Sequence, residues 1–178
     1  MDSSVPSRPT RTRLDGLIGR LTAQRDILDE VCPHIPADGP VIELGLGNGR
    51  TYDHLRSRLP GRRIIAFDRA LAAHRSSVPP EEDLVLGEIR ETTCSYAGTC
   101  AALVHADIGT GYAEIDDQTV QWLPDLVARL LCPGGMAVSG LPLDHPWLEP
   151  LPLPDSVPVG RYFVYQLRTT RRPDRTGA

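Results

Sequence analysis

The stretch VIELGLGNGR, residues 41–50, places three glycines within five positions, directly after an apolar run that is typical of a buried strand. The glycines follow a G-x-G-x-G pattern, and Glu43 precedes the first of them by two positions. A dinucleotide fingerprint, G-x-G-x-x-G, needs a glycine at position 50, where this sequence has Arg50. Backbone without side chains can turn tightly and approach a ligand closely. The stretch therefore predicts a strand, a ligand-binding loop and the start of a helix.

Helical and strand patterns alternate on both sides of this loop. Apolar periodicity predicts helices over 13–31, 50–59 and 114–131, the last restarted at Pro124. Short apolar runs predict strands at 41–44, 64–67, 84–86, 101–107, 136–140 and 161–169. Strands of this kind, joined by short connections, belong inside a parallel sheet. We predict an α/β fold with a doubly wound, mostly parallel sheet and helices on both faces.

Two segments add expectations of their own. The apolar residues of 13–31 fall on one helical face, which predicts that this helix packs on the core; they are Leu14, Leu17, Ile18, Leu21 and Leu28. The segment 142–158 holds six prolines, too many for a central strand or helix. The topology is least determined there.

Acidic residues follow three successive predicted strands. Asp68 ends one strand, Glu88 follows the next, and Asp107 ends the one after it. Ligands of open α/β sheets bind outside the carboxyl ends of the strands. Asp68 follows the first glycine at close to the roughly 20 residues expected of an acid that binds ribose hydroxyls. Because Glu43 adds negative charge near the loop, the pattern indicates an adenosine ligand with a zwitterionic, positively charged tail.

The chain resembles the class I S-adenosylmethionine-dependent methyltransferases. The motifs VIELGLGNGRT, IIAFDR, LVLGEIRET, LVHADIG and LLCPGGMAVSG occur in that family's order over roughly residues 38–140. In length and motifs the chain looks most like a short bacterial group of these enzymes. The resemblance implies a seven-stranded sheet whose last strand is antiparallel, and S-adenosyl-L-methionine as the cofactor.

The resemblance also implies roles for individual residues. The glycine loop would pass under the cofactor, with Glu43 near its methionine portion and Asp68 on the ribose hydroxyls. Glu88, where the family usually has Asp, would meet the adenine together with Ile89, and Asp107 would line the methyl-transfer site. The cofactor-binding residues implied in this way are Glu43, Gly45, Leu46, Gly47, Asn48, Gly49, Asp68, Arg69, Glu88, Ile89 and Asp107.

The chemistry implied is modest in its demands. A methyl group on a sulfonium is electrophilic, so the protein mainly holds a nucleophile in line with it, and a base is needed only for a protonated nucleophile. Asp107 and His105 are the candidate catalytic residues, although His105 lies inside an apolar strand and is more typical of a core histidine. HADIGTG stands where amino-group methyltransferases carry Asn/Asp-Pro-Pro-Tyr.

Several aromatic residues keep two interpretations each. Tyr52 and His54, just inside the helix after the loop, either flank the cofactor or decorate the helix. Tyr112, His145 and Trp147 either form a wall of the acceptor site or are ordinary loop packing.

Composition sets the remaining bounds. The chain has 178 residues, 40% hydrophobic and 24% charged, which fits one domain; we predict flexible tails at 1–12 and 171–178 around a domain at 13–170. A net charge of -4 argues against nucleic-acid binding. The polar N-terminus and the lack of a long apolar run predict a soluble, cytoplasmic protein. The four cysteines form no C-x-x-C pair, which favours reduced, mostly buried thiols over metal or redox work, and no metal site is predicted.

The sequence thus predicts a methyltransferase acting on a small-molecule acceptor, with O-methylation slightly favoured over N-methylation. A homo-oligomer in which a second subunit completes the site stays open. The first alternative is a non-catalytic S-adenosylmethionine-binding sensor or partner protein. An NAD-dependent oxidoreductase is disfavoured by Arg50 and by the absence of lysine, which excludes a Tyr-x-x-x-Lys pair.

Overall fold

The computed structural model describes residues 12–169. The predicted tails, 1–12 and 171–178, fall outside this range except for Thr12, which caps the first helix. The Thr12 hydroxyl accepts a hydrogen bond from the Asp15 backbone N–H, and the Asp15 carboxylate accepts one from the Thr12 N–H. This capping box explains why the helix begins where it does.

A seven-stranded sheet forms the centre of the described residues. Its strands are β1 Val41–Leu44, β2 Ile64–Asp68, β3 Leu84–Leu86, β4 Ala101–Ala106, β5 Leu131–Ser139, β6 Leu148–Leu151 and β7 Phe163–Leu167. Their order is β3-β2-β1-β4-β5-β7-β6. Strands β1 to β5 pair in parallel, whereas β7 runs antiparallel between β5 and β6. The predicted fold class, including the antiparallel last strand, is confirmed.

Helices cover both faces of the sheet. They are α1 Arg13–Val31, α2 Arg50–Arg58, α3 Ile89–Thr92, α4 Ala113–Thr119 and α5 Leu123–Leu130. The buried side chains of α1 and α2 form one core cluster with one face of the sheet. Those of α3 and α5 form a second cluster with the other face. Because successive side chains of a strand point to opposite faces, Ile42 and Leu44 of β1 join the second cluster, whereas Val41 joins the first.

The first half of α1 corrects one prediction. Its apolar residues Leu14, Leu17 and Ile18 are exposed, with 63%, 43% and 54% of their surface accessible. The buried residues come later in the helix and are Ala23, Gln24, Ile27, Leu28 and Val31. Periodicity predicts which side chains share a helical face, but it does not show how much of that face reaches the sheet.

Three further differences lie toward the C-terminal half of the chain. The predicted helix 114–131 is two helices, separated by residues 120–122, and β5 begins at Leu131 rather than 136. The proline-rich segment contains a strand after all, since β6 includes Pro150. That strand lies at the edge of the sheet, where a residue without an N–H is tolerated.

Candidate functional site

A cavity of about 450 Å³ opens at the carboxyl ends of the parallel strands, and we call it the sheet-edge cavity. It runs from the glycine loop and the ends of β2 and β3 to α1 and to the segment after β4. Its lining residues are Arg20, Leu21, Gln24, Gly45, Leu46, Gly47, Asn48, Arg50, Thr51, Asp68, Arg69, Glu88, Ile89, Arg90, Asp107, Ile108, Thr110, Ile115, Thr119 and Trp122. Nine of the twelve predicted site residues lie in this lining; Glu43, Gly49 and His105 do not.

The glycine loop is shaped by both packing and open space. A Cβ added to Gly45 would lie 2.8 Å from Ile108 Cγ2, and one added to Gly49 would lie 2.7 Å from Ser77 Cβ. At Gly47, which also has a positive φ, no atom lies within 4 Å of such a Cβ. The outer glycines therefore let the loop pack on its neighbours, whereas the backbone at Gly47 is bare toward open space.

Asp68 ties the end of β2 to this loop. One carboxylate oxygen accepts a 2.7 Å hydrogen bond from the Gly47 N–H, and the other accepts one of 2.7 Å from the Arg69 N–H. The Arg69 side chain reaches Glu88, with Nε 3.0 Å from Oε1. Carboxylates accept through two oxygens and about four lone pairs. Asp68 thus keeps acceptor capacity toward the cavity that it lines.

Asp107 lines the cavity directly after β4 and is held by two donors. Its Oδ2 accepts a 2.7 Å hydrogen bond from Gln24 Nε2, and its Oδ1 accepts one of 3.1 Å from the Tyr162 hydroxyl. Arg20 adds positive charge, with Nη1 3.7 Å from Oδ2. Burial, and then the neighbouring carboxylate, raise the pKa of Tyr162, so this hydroxyl stays a donor.

Glu43 and His105 form a fully buried pair behind the loop. They are register partners on neighbouring strands β1 and β4, and His105 Nδ1 lies 2.9 Å from Glu43 Oε2. Thr51 at the start of α2 donates its hydroxyl to the other oxygen of Glu43. His105 Nε2 has no hydrogen-bond partner among residues 12–169. Burial lowers the pKa of His105, but the charge and hydrogen bond of Glu43 outweigh it, so the pKa is raised.

The location of this pair bears on its predicted roles. Both side chains are 0% exposed, so neither can touch a ligand in the cavity directly. His105 therefore has the position of the core histidine that its apolar strand indicated. Glu43 can act on a ligand only through the loop and the helix start that it holds.

The aromatic residues left open by the sequence lie outside the cavity lining. Tyr52 is buried, and His54 contacts Asp29 at 2.8 Å. His145 and Trp147 pack edge to face, and Tyr112 is 72% exposed. For these five residues the structure favours packing or surface positions over the cofactor and acceptor walls.

The cavity also includes residues that sequence reasoning missed. Arg20, Leu21 and Gln24 come from α1, and the segment after β4 contributes Ile108, Thr110, Ile115, Thr119 and Trp122. Gln24 carried a signal, since it is a polar residue that recurs with Leu17, Leu21 and Leu28 on the apolar face of the helix. The others are ordinary helix or loop residues in sequence.

The sequence predicted reduced, mostly buried thiols and no metal site. Among residues 12–169, no group of three or more His, Cys, Asp or Glu side chains is arranged to hold a metal ion. All four cysteines are free thiols, but only Cys32 and Cys132 are buried, whereas Cys94 and Cys100 are exposed. The expectation of mostly buried thiols is therefore wrong for half of them.

Fold and cavity together define a class. The strand order, the glycine loop after β1 and the acid at the end of β2 are those of a nucleoside-binding α/β enzyme. The sequence model of one family, described as S-adenosyl-L-methionine methyltransferase, matches residues 11–167. The chain belongs to this family, and it is an S-adenosyl-L-methionine-dependent methyltransferase.

Solved structures agree with this assignment. The S-adenosyl-L-methionine methyltransferase from Silicibacter pomeroyi DSS-3 is 43% identical, with a TM-score of 0.82, and the match covers 89% of this chain and 99% of that one. The N-methyltransferase NodS from Bradyrhizobium japonicum WM9 is 14% identical, with a TM-score of 0.55 and coverage of 86% and 96%. NodS shares the fold. A search of curated proteins finds no match.

The cavity fits the family's cofactor. Pockets of roughly 300–1,000 Å³ hold small ligands and cofactors, and the bare backbone at Gly47 leaves room beside the acceptor oxygens of Asp68. In the described part of the chain, no helix is long and apolar enough to span a membrane. The cytoplasmic location stays a prediction from the sequence.

Proposed function

We propose that this enzyme methylates a small molecule that enters the sheet-edge cavity between α1 and the segment after β4. The observation that carries the proposal is that one cavity joins the glycine loop to both of these segments. We call residues 45–48, Asp68, Arg69, Glu88 and Ile89 the cofactor half of the cavity. The acceptor half consists of Arg20, Leu21, Gln24, Ile108, Thr110, Ile115, Thr119 and Trp122, and Asp107 lies between the halves.

The cofactor half supplies the groups that a nucleoside requires. In this proposal the carboxylate of Asp68 accepts from the ribose hydroxyls while Gly47 and Arg69 hold it in place. Ile89, only 9% exposed, offers apolar surface to the adenine, and Glu88 accepts from its amino group. S-adenosyl-L-methionine supplies a methyl group on a positively charged sulfur.

Asp107 is suited to binding positive charge at the junction. Gln24 and Tyr162 donate to its two oxygens and fix their direction, so the carboxylate is oriented before a ligand arrives. A fixed carboxylate stabilises a sulfonium or ammonium more than a neutral group. We therefore assign Asp107 to binding the cationic part of the cofactor, and the acceptor's lone pair performs the attack without a dedicated base.

The volume of the cavity supports a small acceptor. A space of about 450 Å³ is within the range that one small ligand fills, so the cofactor occupies most of it. The acceptor half mixes polar side chains, such as Arg20 and Thr110, with the apolar Ile115 and Trp122. Such a lining fits a compact molecule that carries both an apolar part and one polar or anionic group.

Calorimetry tests the cofactor half first. Asp68→Ala should weaken binding of the demethylated product, S-adenosyl-L-homocysteine, by about 10-fold or more, since charge-assisted hydrogen bonds contribute roughly 1.5–3 kcal/mol. Asp53→Ala is the matched control, because Asp53 pairs with Arg56 on the surface of α2. Equal effects of the two variants would contradict the assignment of Asp68.

A methyl-transfer screen tests the acceptor. Labelled S-adenosyl-L-methionine is supplied with panels of phenols, carboxylates, thiols and amines, and with total RNA and protein as separate arms. We expect label to appear in a small molecule. Transfer confined to RNA or protein would overturn the small-molecule acceptor. Cofactor binding without transfer in any arm would favour the non-catalytic alternative.

A further inference from the structure

Two cysteines lie near each other at the amino ends of β4 and β5, whereas the cavity lies at the carboxyl ends of the parallel strands. Ala101 of β4 and Leu131 of β5 are register partners at the amino ends of these parallel strands. Cys100 directly precedes Ala101, and Cys132 directly follows Leu131. The register therefore places the two cysteines on either side of one paired position, and Cys100 is close enough to contribute to the raised pKa of Cys132.

The backbone around Cys100 is held in an unusual conformation. Cys100 has a φ of +62°, and it is the only residue other than glycine with a positive φ within the residues that the structure describes. A non-glycine residue adopts this region uncommonly, and the surrounding structure must stabilise it. Gly39 packs on this turn so closely that an added Cβ would lie 2.3 Å from the Cys100 carbonyl oxygen. The contact with Gly39 therefore supports the Cys100 backbone in this conformation.

The two thiols differ in access to solvent. Cys100 is exposed, whereas Cys132 is buried. Burial, and then the neighbouring Cys100, raise the pKa of Cys132, which makes this thiol a poor first nucleophile. An exposed thiol beside a buried thiol is the arrangement in which the first reacts with a reagent and the second closes the disulfide.

We propose that Cys100 and Cys132 form a reversible dithiol–disulfide pair that responds to low-molecular-weight disulfides. The Cys100 thiolate attacks one sulfur of such a disulfide, whose S–S bond breaks and releases a first thiolate. Cys132 then loses its proton and attacks the Cys100 sulfur, which expels the second low-molecular-weight thiolate. Two protein thiols are oxidised, one small disulfide is reduced to two thiols, and the protons of Cys100 and Cys132 pass to those thiols.

The remaining cysteines serve as internal controls. Cys32 is buried, and burial raises its pKa to about 11. Cys94 is exposed, and its thiol contacts the Arg90 carbonyl oxygen at 3.2 Å. Cys94 should therefore accept a small thiol as a stable mixed disulfide, whereas Cys32 should stay reduced in the folded protein.

The test treats the full-length reduced protein with glutathione disulfide, quenches it with an alkylating reagent and maps the peptides by mass spectrometry. We expect a Cys100–Cys132 cross-link, glutathione retained on Cys94 but not on Cys100, and full reversal by dithiothreitol. In Cys132→Ser, glutathione should stay on Cys100. In Cys100→Ser, Cys132 should stay unmodified.

Two results would overturn the pair. One is glutathione retained on Cys100 of the wild-type protein while Cys132 is alkylated as a free thiol. The other is Cys100 left fully reduced under conditions that modify Cys94. Because a serine variant can also lose its fold, circular dichroism accompanies each sample, and the wild-type map alone already decides between the outcomes. The inference does not depend on the proposed acceptor, since the two sites lie at opposite ends of the parallel strands.

Discussion

The two halves of the sheet-edge cavity are built in different ways. In the cofactor half, short segments at the ends of β1, β2 and β3 bring backbone and carboxylates together, as in the 2.7 Å contact between the Gly47 N–H and Asp68. In the acceptor half, side chains come from α1 and from the chain after β4, which are far apart in sequence. Local chain geometry therefore specifies the cofactor half, whereas helix packing specifies the acceptor half.

The strongest test of this contrast is made within the glycine loop. Gly45→Ala should destabilise the protein by about 2–4 kcal/mol, because the new Cβ meets Ile108 at a residue with a positive φ. Gly47→Ala has no such contact and should cost only about 1–2 kcal/mol from its backbone conformation. Urea denaturation measures both variants.

Ligand binding tests the Gly47→Ala variant further. Gly47→Ala places a methyl group in the space that the cofactor would fill, so we expect a large loss of S-adenosyl-L-homocysteine affinity from a protein that still folds. Unchanged affinity in a folded Gly47→Ala variant would contradict the assignment of residues 45–48 to the cofactor site.

The junction between the halves gives the second prediction. Asp107→Asn removes the negative charge and keeps the shape of the side chain. It should weaken binding of S-adenosyl-L-methionine by about 10-fold. Binding of S-adenosyl-L-homocysteine, which lacks the sulfonium charge, should change less. Calorimetry with both ligands gives the ratio, and equal losses would contradict a role of Asp107 in binding the sulfonium.

A smaller effect of the same kind is expected at Tyr162. Tyr162→Phe removes one donor to Asp107 and leaves Gln24 in place. We expect S-adenosyl-L-methionine affinity to fall by roughly 3- to 10-fold, the range of one hydrogen bond. Tyr165→Phe is the matched control, because that hydroxyl accepts from the Leu143 N–H and does not contact Asp107.

The acceptor half should be sensitive to a surface substitution that leaves stability unchanged. Ile115→Ser, at a residue 49% exposed, should alter stability by no more than about 0.5 kcal/mol. It should raise the KM for the acceptor found in the screen by a few-fold, since an apolar contact is lost. Val159→Ser, at a residue 98% exposed and outside the cavity lining, is the control.

The smallest expected effect concerns the buried Glu43–His105 pair. The pKa of His105 is raised above its ordinary value of 6.5, because Glu43 outweighs the opposing effect of burial. A raised pKa contributes stability that is fully present below 6.5 and is lost as pH rises through the folded-state pKa. The unfolding free energy of the wild type should therefore fall relative to His105→Gln as pH rises from 6. A constant difference would mean that the pair does not titrate.

How far the sequence predicted the site depended on how each residue is positioned. Asp68 was predictable because it ends a short apolar strand, and strand ends meet at one edge of a parallel sheet. Leu17 and Ile18 were wrongly expected in the core, because periodicity describes a helical face and not the extent of its contact. The strand β6 was not predicted because it contains Pro150. Proline is disfavoured in central strands, since it has no N–H to donate, but edge strands tolerate it.

The sequence by itself determined the fold class, the glycine loop and the family. The alternation of strand and helix patterns, the closely spaced glycines and the spacing of the acidic residues are all local properties of the chain. Tertiary structure alone decided that Gln24 and Tyr162 hold Asp107, that His105 pairs with Glu43 in the core, and that strand pairing brings Cys100 near Cys132. The physical reason is that side-chain pairs between distant segments depend on the register and packing of whole elements, which no local pattern specifies.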